Sequence, residues 1–262
     1  MQRGPIPAHV NAQLITHLRH LPYFRALLRA VEAQYYVELP LPHPVYDLGC
    51  GDGLFAALAL DSRVDVGLDP WRGPIREARG HGAYRLLTEA DAARAPFASA
   101  SFASAFSNSV LEHVADIEGA IAETGRVLRP GAPFYFCVPN PRYLQHLSLR
   151  RVLGAPYVEW FRRITRVHNL DEPEVWKSRL ERAGLELVRW WHYFPPASMR
   201  VLEWGHYFGL PSLLIRVLTG RWVIAPTDWN LWLTRRLIER HASSAPVDNG
   251  AFTFYIARRA GG

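Results

Sequence analysis

From residue 45 onward, short apolar runs alternate with stretches in which apolar positions recur every three or four residues. An unbroken or alternating apolar run suits a strand buried in a sheet, whereas a 3.6-residue period suits a helix lying on that sheet. The runs predict strands at 45–49, 64–69, 83–89, 102–107, 132–138 and 185–193. Helical patterns fall between them at 53–60, 74–80, 116–128 and 172–183. Alternation of this kind builds βαβ units, hence an α/β fold with a largely parallel sheet. Two of the helices carry clear punctuation. Asp116 can cap one that ends before Pro130 and Gly131, and Asp171, Glu172 and Pro173 open another that stops at Gly184.

The flanks follow other patterns. Leu14, Leu18 and Leu21, then Leu27, Leu28 and Val31, stand at helical intervals on either side of Pro22 and predict two short helices. LPLPHP (39–44) then enforces extended backbone. Residues 1–40 therefore read as an N-terminal helical arm and 41–194 as the core. Residues 195–250 form a long excursion with Trp204, Trp222, Trp229 and Trp232, and AFTFYIAR (251–258) supplies one more strand in a final segment, 251–262. Within the excursion, apolar residues dominate 201–225 around Arg216 and Arg221, and LWLTRRLIERH (231–241) reads as an amphipathic helix with a basic face. Three uses suit such a segment: an extension of the core or dimer contact, a cap over an apolar acceptor site, or a patch resting on a membrane surface.

Composition narrows the function classes. A chain of 262 residues that is 49% hydrophobic and 21% charged is neither collagen-like, disordered nor a coiled coil. Its net charge of +6 invites nucleic-acid or anionic-membrane partners. Yet Lys177 is the only lysine and no block of five basic residues occurs, the densest stretch being Arg162, Arg163 and Arg166. The charge thus reads as arginine usage spread along the chain. Cys50 and Cys137, both in apolar strand-like segments, fit a reduced, cytoplasmic chain without disulfides. MQRGPIPAHV lacks the apolar run of a signal peptide, and the longest apolar stretch, 204–215, contains His206 and Pro211, so no transmembrane anchor is expected. No cysteine, histidine or carboxylate group has metal-ligand spacing, and no metal site is expected.

The strongest chemical signal is VYDLGCGDGLFAALAL, a strand, a glycine loop and a helix. Glycines there let backbone approach a ligand closely, and the helix start offers free N–H groups, so a nucleotide-like cofactor is the natural occupant. A dinucleotide fingerprint requires a third glycine where Leu54 stands, and no P-loop Gly-Lys-Ser/Thr follows, whereas Asp47, Gly49, Gly51 and Gly53 complete Asp-x-Gly-x-Gly-x-Gly. Asp69 ends the next strand, twenty residues beyond Gly49, where a carboxylate can accept hydrogen bonds from both ribose hydroxyls of an adenosine.

In these features the sequence resembles the class I S-adenosylmethionine-dependent methyltransferases, in their small-molecule (type 11-like) branch. The resemblance extends through Asp91 in TEADAARAPF, through PFASASFASAFSNSVLEHV and through RVLRPGAPFYFCVPN, and so covers roughly residues 40–195. It implies a Rossmann-like three-layer sandwich, with a seven-stranded, mostly parallel sheet, an antiparallel last strand and here a helical insertion before that strand. S-adenosylmethionine is the implied cofactor. Asp47 would hold its amino group and Asp91 its adenine, with Gly49, Cys50, Gly51, Gly53, Asp69, Pro70, Ala92, Ser107 and Asn108 completing the cofactor set. Phe97 reads as a core residue more than a ligand contact.

Methyl transfer is an in-line displacement that depends chiefly on orientation, and a base helps when a hydroxyl or acidic carbon must lose a proton. Ser107 to His113 would face the methyl group, and the missing Asn-Pro-Pro-Tyr signature argues against DNA adenine methylation. His113 and His168 are the candidate bases, although Glu112 and His113 also suit a structural role. Tyr143, His146 and His168, beside Arg142, are candidate acceptor contacts. The expected reaction is methylation of oxygen or carbon in a small, apolar or lipid-like acceptor, with possible membrane contact through the insertion. The alternatives are RNA methylation using the basic surface and a non-catalytic cofactor-binding scaffold.

Overall fold

The strands of the computed structural model, which describes residues 8–261, are β1 (Val45–Leu48), β2 (Val64–Asp69), β3 (Tyr84–Glu89), β4 (Ser104–Asn108), β5 (Pro133–Pro139), β6 (Leu185–Tyr193) and β7 (Phe252–Arg259). They form one seven-stranded sheet in the order β3-β2-β1-β4-β5-β7-β6. β1 to β5 pair in parallel, and β7 lies antiparallel between β5 and β6. The central strands β1 and β4 are buried at every position, as a parallel sheet covered on both faces requires. Period-two alternation divides the core into two layers. Phe134, Phe136 and Val138 of β5 point to one, and Tyr135 and Cys137 to the other.

The helices are α1 (Ala8–Leu18), α2 (Tyr23–Tyr36), α3 (Leu54–Ala59), α4 (Arg72–His81), α5 (Ile117–Val127), α6 (Arg142–Gln145), α7 (Arg150–Thr165), α8 (Pro173–Arg182), α9 (Pro196–Phe208), α10 (Leu210–Thr219) and α11 (Asp228–Ile238). α5 and α8 cover the Phe134 face with Ile121, Trp176 and Leu180. α1, α2, α3 and α9 cover the other with Leu14, Leu27, Val31, Leu54 and Met199. The expected caps are present, since Asp116 Oδ1 accepts from Gly119 N–H at 3.0 Å and Pro173 opens α8.

Two features depart from the sequence pattern. The N-terminal helices are a layer of the sandwich: α2 buries Ala26, Leu27, Ala30 and Val31 completely, covering sheet surface that would otherwise meet water. α7 carried no clear periodic signal, because Gly154 (φ 65°) and Pro156 kink it near its start. Strand ends differ from expectation by a residue or two, where ladder pairing gives way to turns.

The insertion is attached at α9 and open at α10 and α11. α9 packs on α2 so closely that a Cβ at Gly205 would overlap Phe24. α10 has no buried residue, and α11 buries only Ile238. No helix among the described residues is long and apolar enough to cross a membrane.

Candidate active site

The glycine loop leaves β1 and is tied back to β2 by the N–H groups of Gly49 and Cys50, which both donate to the Leu68 carbonyl, at 2.8 and 2.9 Å. Gly49 (φ 81°) has no room for a side chain, since a Cβ would overlap Val110. Gly51 (φ 53°) is different: a Cβ there would meet nothing within 4 Å, so its backbone faces open space that a ligand can enter. Asp69 is fixed at the end of β2 by two backbone donors, Gly51 N–H to Oδ2 at 3.0 Å and Trp71 N–H to Oδ1 at 2.9 Å. Burial raises its pKa, and these two bonds oppose the rise. Asp47 is buried and accepts from the Tyr84 hydroxyl at 2.6 Å. Burial pushes its pKa up to about 7, against the Tyr84 bond.

Asp47, Gly49, Cys50, Gly51, Asp69, Pro70, Asp91 and Asn108 together line a cleft of about 720 Å³. That volume lies in the range of sites that hold cofactor-sized molecules, about 300–1,000 Å³. Three expected cofactor residues are placed behind it. Gly53 caps α3, Ala92 starts a short 3-10 turn, and Ser107 is buried with its hydroxyl donating to the Leu48 carbonyl at 2.9 Å. Asp91 lines the cleft while its Oδ1 accepts from Ala93 N–H at 2.9 Å. Phe97 packs against Tyr46 and Phe102 in the core.

A second cavity of about 250 Å³ shares Arg25, Arg29, Ser109 and His113 with the cleft. Its walls are mixed: Leu28, Tyr143, Ile164, Val167, Leu202 and Phe252 stand beside Arg25, Arg29, Glu112, His113 and His206. His113 stands at the seam. Its Nδ1–H donates to the Arg166 carbonyl at 2.8 Å, which assigns the proton to Nδ1 and leaves Nε2 as an acceptor, 3.8 Å from Glu112 Oε1. Burial lowers the His113 pKa, and the Arg166 bond works the other way. Glu112 is buried, its Oε2 has no hydrogen-bond partner, and burial pushes its pKa up to about 8, which favours the neutral carboxyl.

Of the remaining acceptor-side candidates, the structure leaves His168 and His146 outside both cavities. His168 is exposed, and its backbone N–H donates to the Glu112 carbonyl at 2.8 Å, so it braces the segment carrying His113. His146 donates through Nε2 to the Asn249 carbonyl at 2.7 Å. Tyr143 does line the smaller cavity.

The sequence reading missed what α2 contributes. Arg25, Arg29 and Glu32 lie four and three residues apart, on one helix face, and that face is buried against the site. Glu32 is fully buried and accepts from Arg29 at 2.5 Å, Asn108 Nδ2 at 2.7 Å, Ser109 Oγ at 2.8 Å and the Tyr193 hydroxyl at 3.0 Å. It thereby anchors the end of β4, where Ser109 holds an uncommon positive φ of 52°. Charges at helical spacing within an otherwise apolar face were the available signal.

Among known proteins, a family described as a methyltransferase domain matches residues 46–136. A ubiquinone biosynthesis O-methyltransferase of Dinoroseobacter shibae is 30% identical over 188 residues, covering 66% of this chain and 73% of that protein. The chain belongs to the class I S-adenosylmethionine-dependent methyltransferases. A protein of the same name from Mesorhizobium japonicum is 33% identical to this chain over 154 residues, 55% of the chain. The chain spans 60% of the length of that relative and 50% of the one from Hahella chejuensis. Solved structures share the fold of this chain. The [4+2]-cyclase SpnF has a TM-score of 0.58 at 20% identity, covering 91% of this chain and 82% of that one. An S-adenosylmethionine-dependent methyltransferase from Mesorhizobium loti has a TM-score of 0.53 at 21% identity, covering 91% and 96%. Since one neighbour is a cyclase, the fold alone does not specify the reaction, and the site must carry the argument.

Proposed function

We propose that this methyltransferase methylates a hydroxyl oxygen on a small, largely apolar acceptor. The observation that carries the reading is His113 Nε2, left free to accept a proton at the seam between a cofactor-sized cleft and a smaller cavity lined by both apolar and basic side chains. The O-methyltransferase names of the relatives favour oxygen over carbon. When bound, S-adenosylmethionine supplies a methyl group on a positively charged sulfur and is left as S-adenosylhomocysteine.

The residues of the chain divide the remaining work. Asp69, held rigid by two N–H groups, accepts from the ribose hydroxyls, and the open face of Gly51 admits the cofactor against the loop. Asp47 receives the amino group, whose positive charge favours the ionised carboxylate that burial disfavours. Asp91 stands at the adenine end. The walls of the smaller cavity orient the acceptor, and His113 Nε2 takes the hydroxyl proton as the new carbon–oxygen bond forms and the carbon–sulfur bond breaks.

The reading extends to the insertion. α9 supplies Leu202 and His206 to the acceptor cavity, and Arg216 and Trp222 reach the cofactor cleft, so the insertion acts as a cap. Its outer surface exposes Leu214, Val217, Leu218, Trp229 and Trp232 beside Arg221, Arg235 and Arg236, a composition suited to an anionic membrane surface from which an apolar acceptor is drawn. Two free, buried cysteines suit work in a reducing cytoplasm.

Calorimetric titration with S-adenosylmethionine and S-adenosylhomocysteine tests the cofactor assignment, and mass spectrometry of phenolic acceptors tests for the gain of one methyl group. Asp69→Ala is expected to weaken cofactor binding about tenfold or more. Absence of binding by the wild type, or an unchanged affinity in the variant, overturns the reading.

A further inference from the structure

Three arginines line the cleft, and two of them are neutralised. Arg29 pairs with Glu32, and Arg216 pairs with Glu77. Arg25 has no carboxylate within ion-pair distance among the described residues, yet it lines both the cofactor cleft and the acceptor cavity. It comes from the same face of α2 as Arg29, one turn earlier, and its guanidinium lies over the Trp222 ring, 5.5 Å from the centroid. Burial, together with the nearby Arg29 and Arg216, disfavours its charged form, and only Asp52 acts in the opposite sense. A half-buried cation so placed is stabilised by an anion that arrives with a ligand.

We propose that Arg25 binds an anionic group, a carboxylate or a phosphate, carried by the acceptor. The inference rests on the methyl-transfer reading and narrows its substrate class: a small body that fits the smaller cavity, a hydroxyl within reach of His113, and one anion at Arg25. The neighbouring titratable groups leave Arg25 as the available anchor. His206, on the same cavity wall, is packed between Phe24 and Phe161, and burial lowers its pKa. The planar guanidinium offers a two-pronged donor that matches carboxylate and phosphate oxygens.

The cofactor has a carboxylate of its own, and the test separates the two claimants. Wild type and Arg25→Met are titrated with S-adenosylhomocysteine, then each is titrated with benzoate and with inorganic phosphate, in the presence and absence of S-adenosylhomocysteine. The variant is expected to keep its S-adenosylhomocysteine affinity within about twofold and to lose anion affinity about tenfold or more. The tighter-binding anion distinguishes a carboxylate acceptor from a phosphorylated one. Arg25→Lys keeps the charge without the planar fork; it is expected to weaken anion binding severalfold and serves if the methionine variant does not fold. Failure of both anions to bind the wild type saturably, or equal anion binding by the variant, overturns the proposal. So does a matching loss of S-adenosylhomocysteine affinity, which assigns Arg25 to the cofactor. If the wild type binds anions but no S-adenosylhomocysteine, the methyltransferase reading falls and the anion site stands.

Discussion

The tautomer of His113 is decided by a carbonyl fifty-three residues away, at Arg166, which reaches it because the chain turns through a positive φ of 54° after α7. With Nδ1 committed to that bond, only Nε2 can accept a proton. Because burial lowers the His113 pKa below its ordinary 6.5, the ring is already neutral at pH 7 and protonates only in more acidic solution. The kcat is therefore expected to rise with pH through a value below 6.5 and to level off above it. In His113→Ala that acidic limb should vanish and kcat should fall by about 10²–10⁴. A pH–rate profile without the limb in the wild type, or an alanine variant at full rate, removes the base and leaves catalysis by orientation alone. His113 was legible as a candidate in the sequence, as were Asp47 and Asp69 from the glycine-loop spacing. The free nitrogen was not, since nothing local connects residue 113 to residue 166.

At the scale of elements, α2 shows how a helix can be read correctly and its role missed. Its apolar period gave the helix, and the charges within the period belong to the site. Glu32 binds partners from α2, β4, the turn after it and β6; an amide in its place keeps one acceptor oxygen but leaves Arg29 without its counter-ion and turns N–H groups toward donors that shared the second oxygen. Glu32→Gln is expected to destabilise the protein by about 3–5 kcal/mol, measured by urea unfolding, as breaking a buried ion pair does elsewhere. A loss below about 1 kcal/mol would show that the network positions β4 without stabilising the fold. The element least visible in the sequence was α7, where glycine and proline interrupt the period.

Across the whole molecule, the insertion joins chemistry to surface. Its inner side contributes to both cavities, while α10 presents no buried residue at all. If the outer side rests on a membrane, the protein is expected to float with vesicles containing anionic lipid, and Trp229→Ser with Trp232→Ser should reduce the bound fraction severalfold. Equal recovery of wild type and double variant, or no flotation at all, removes the membrane contact and leaves a cap alone.

The sequence by itself determined the α/β alternation, the glycine loop and the acidic residues around it, because each is a local pattern imposed by strand period, turn geometry or a fixed distance along the chain. Only the tertiary structure decided which side chains share a cavity. That choice set His146 and His168 outside the two cavities, brought in Arg25 and Arg29, and buried Glu32 beneath the end of β4. The physical reason is that a cavity is closed by elements far apart in sequence, and hydrogen bonds and ion pairs across it have no period for a single strand or helix to reveal.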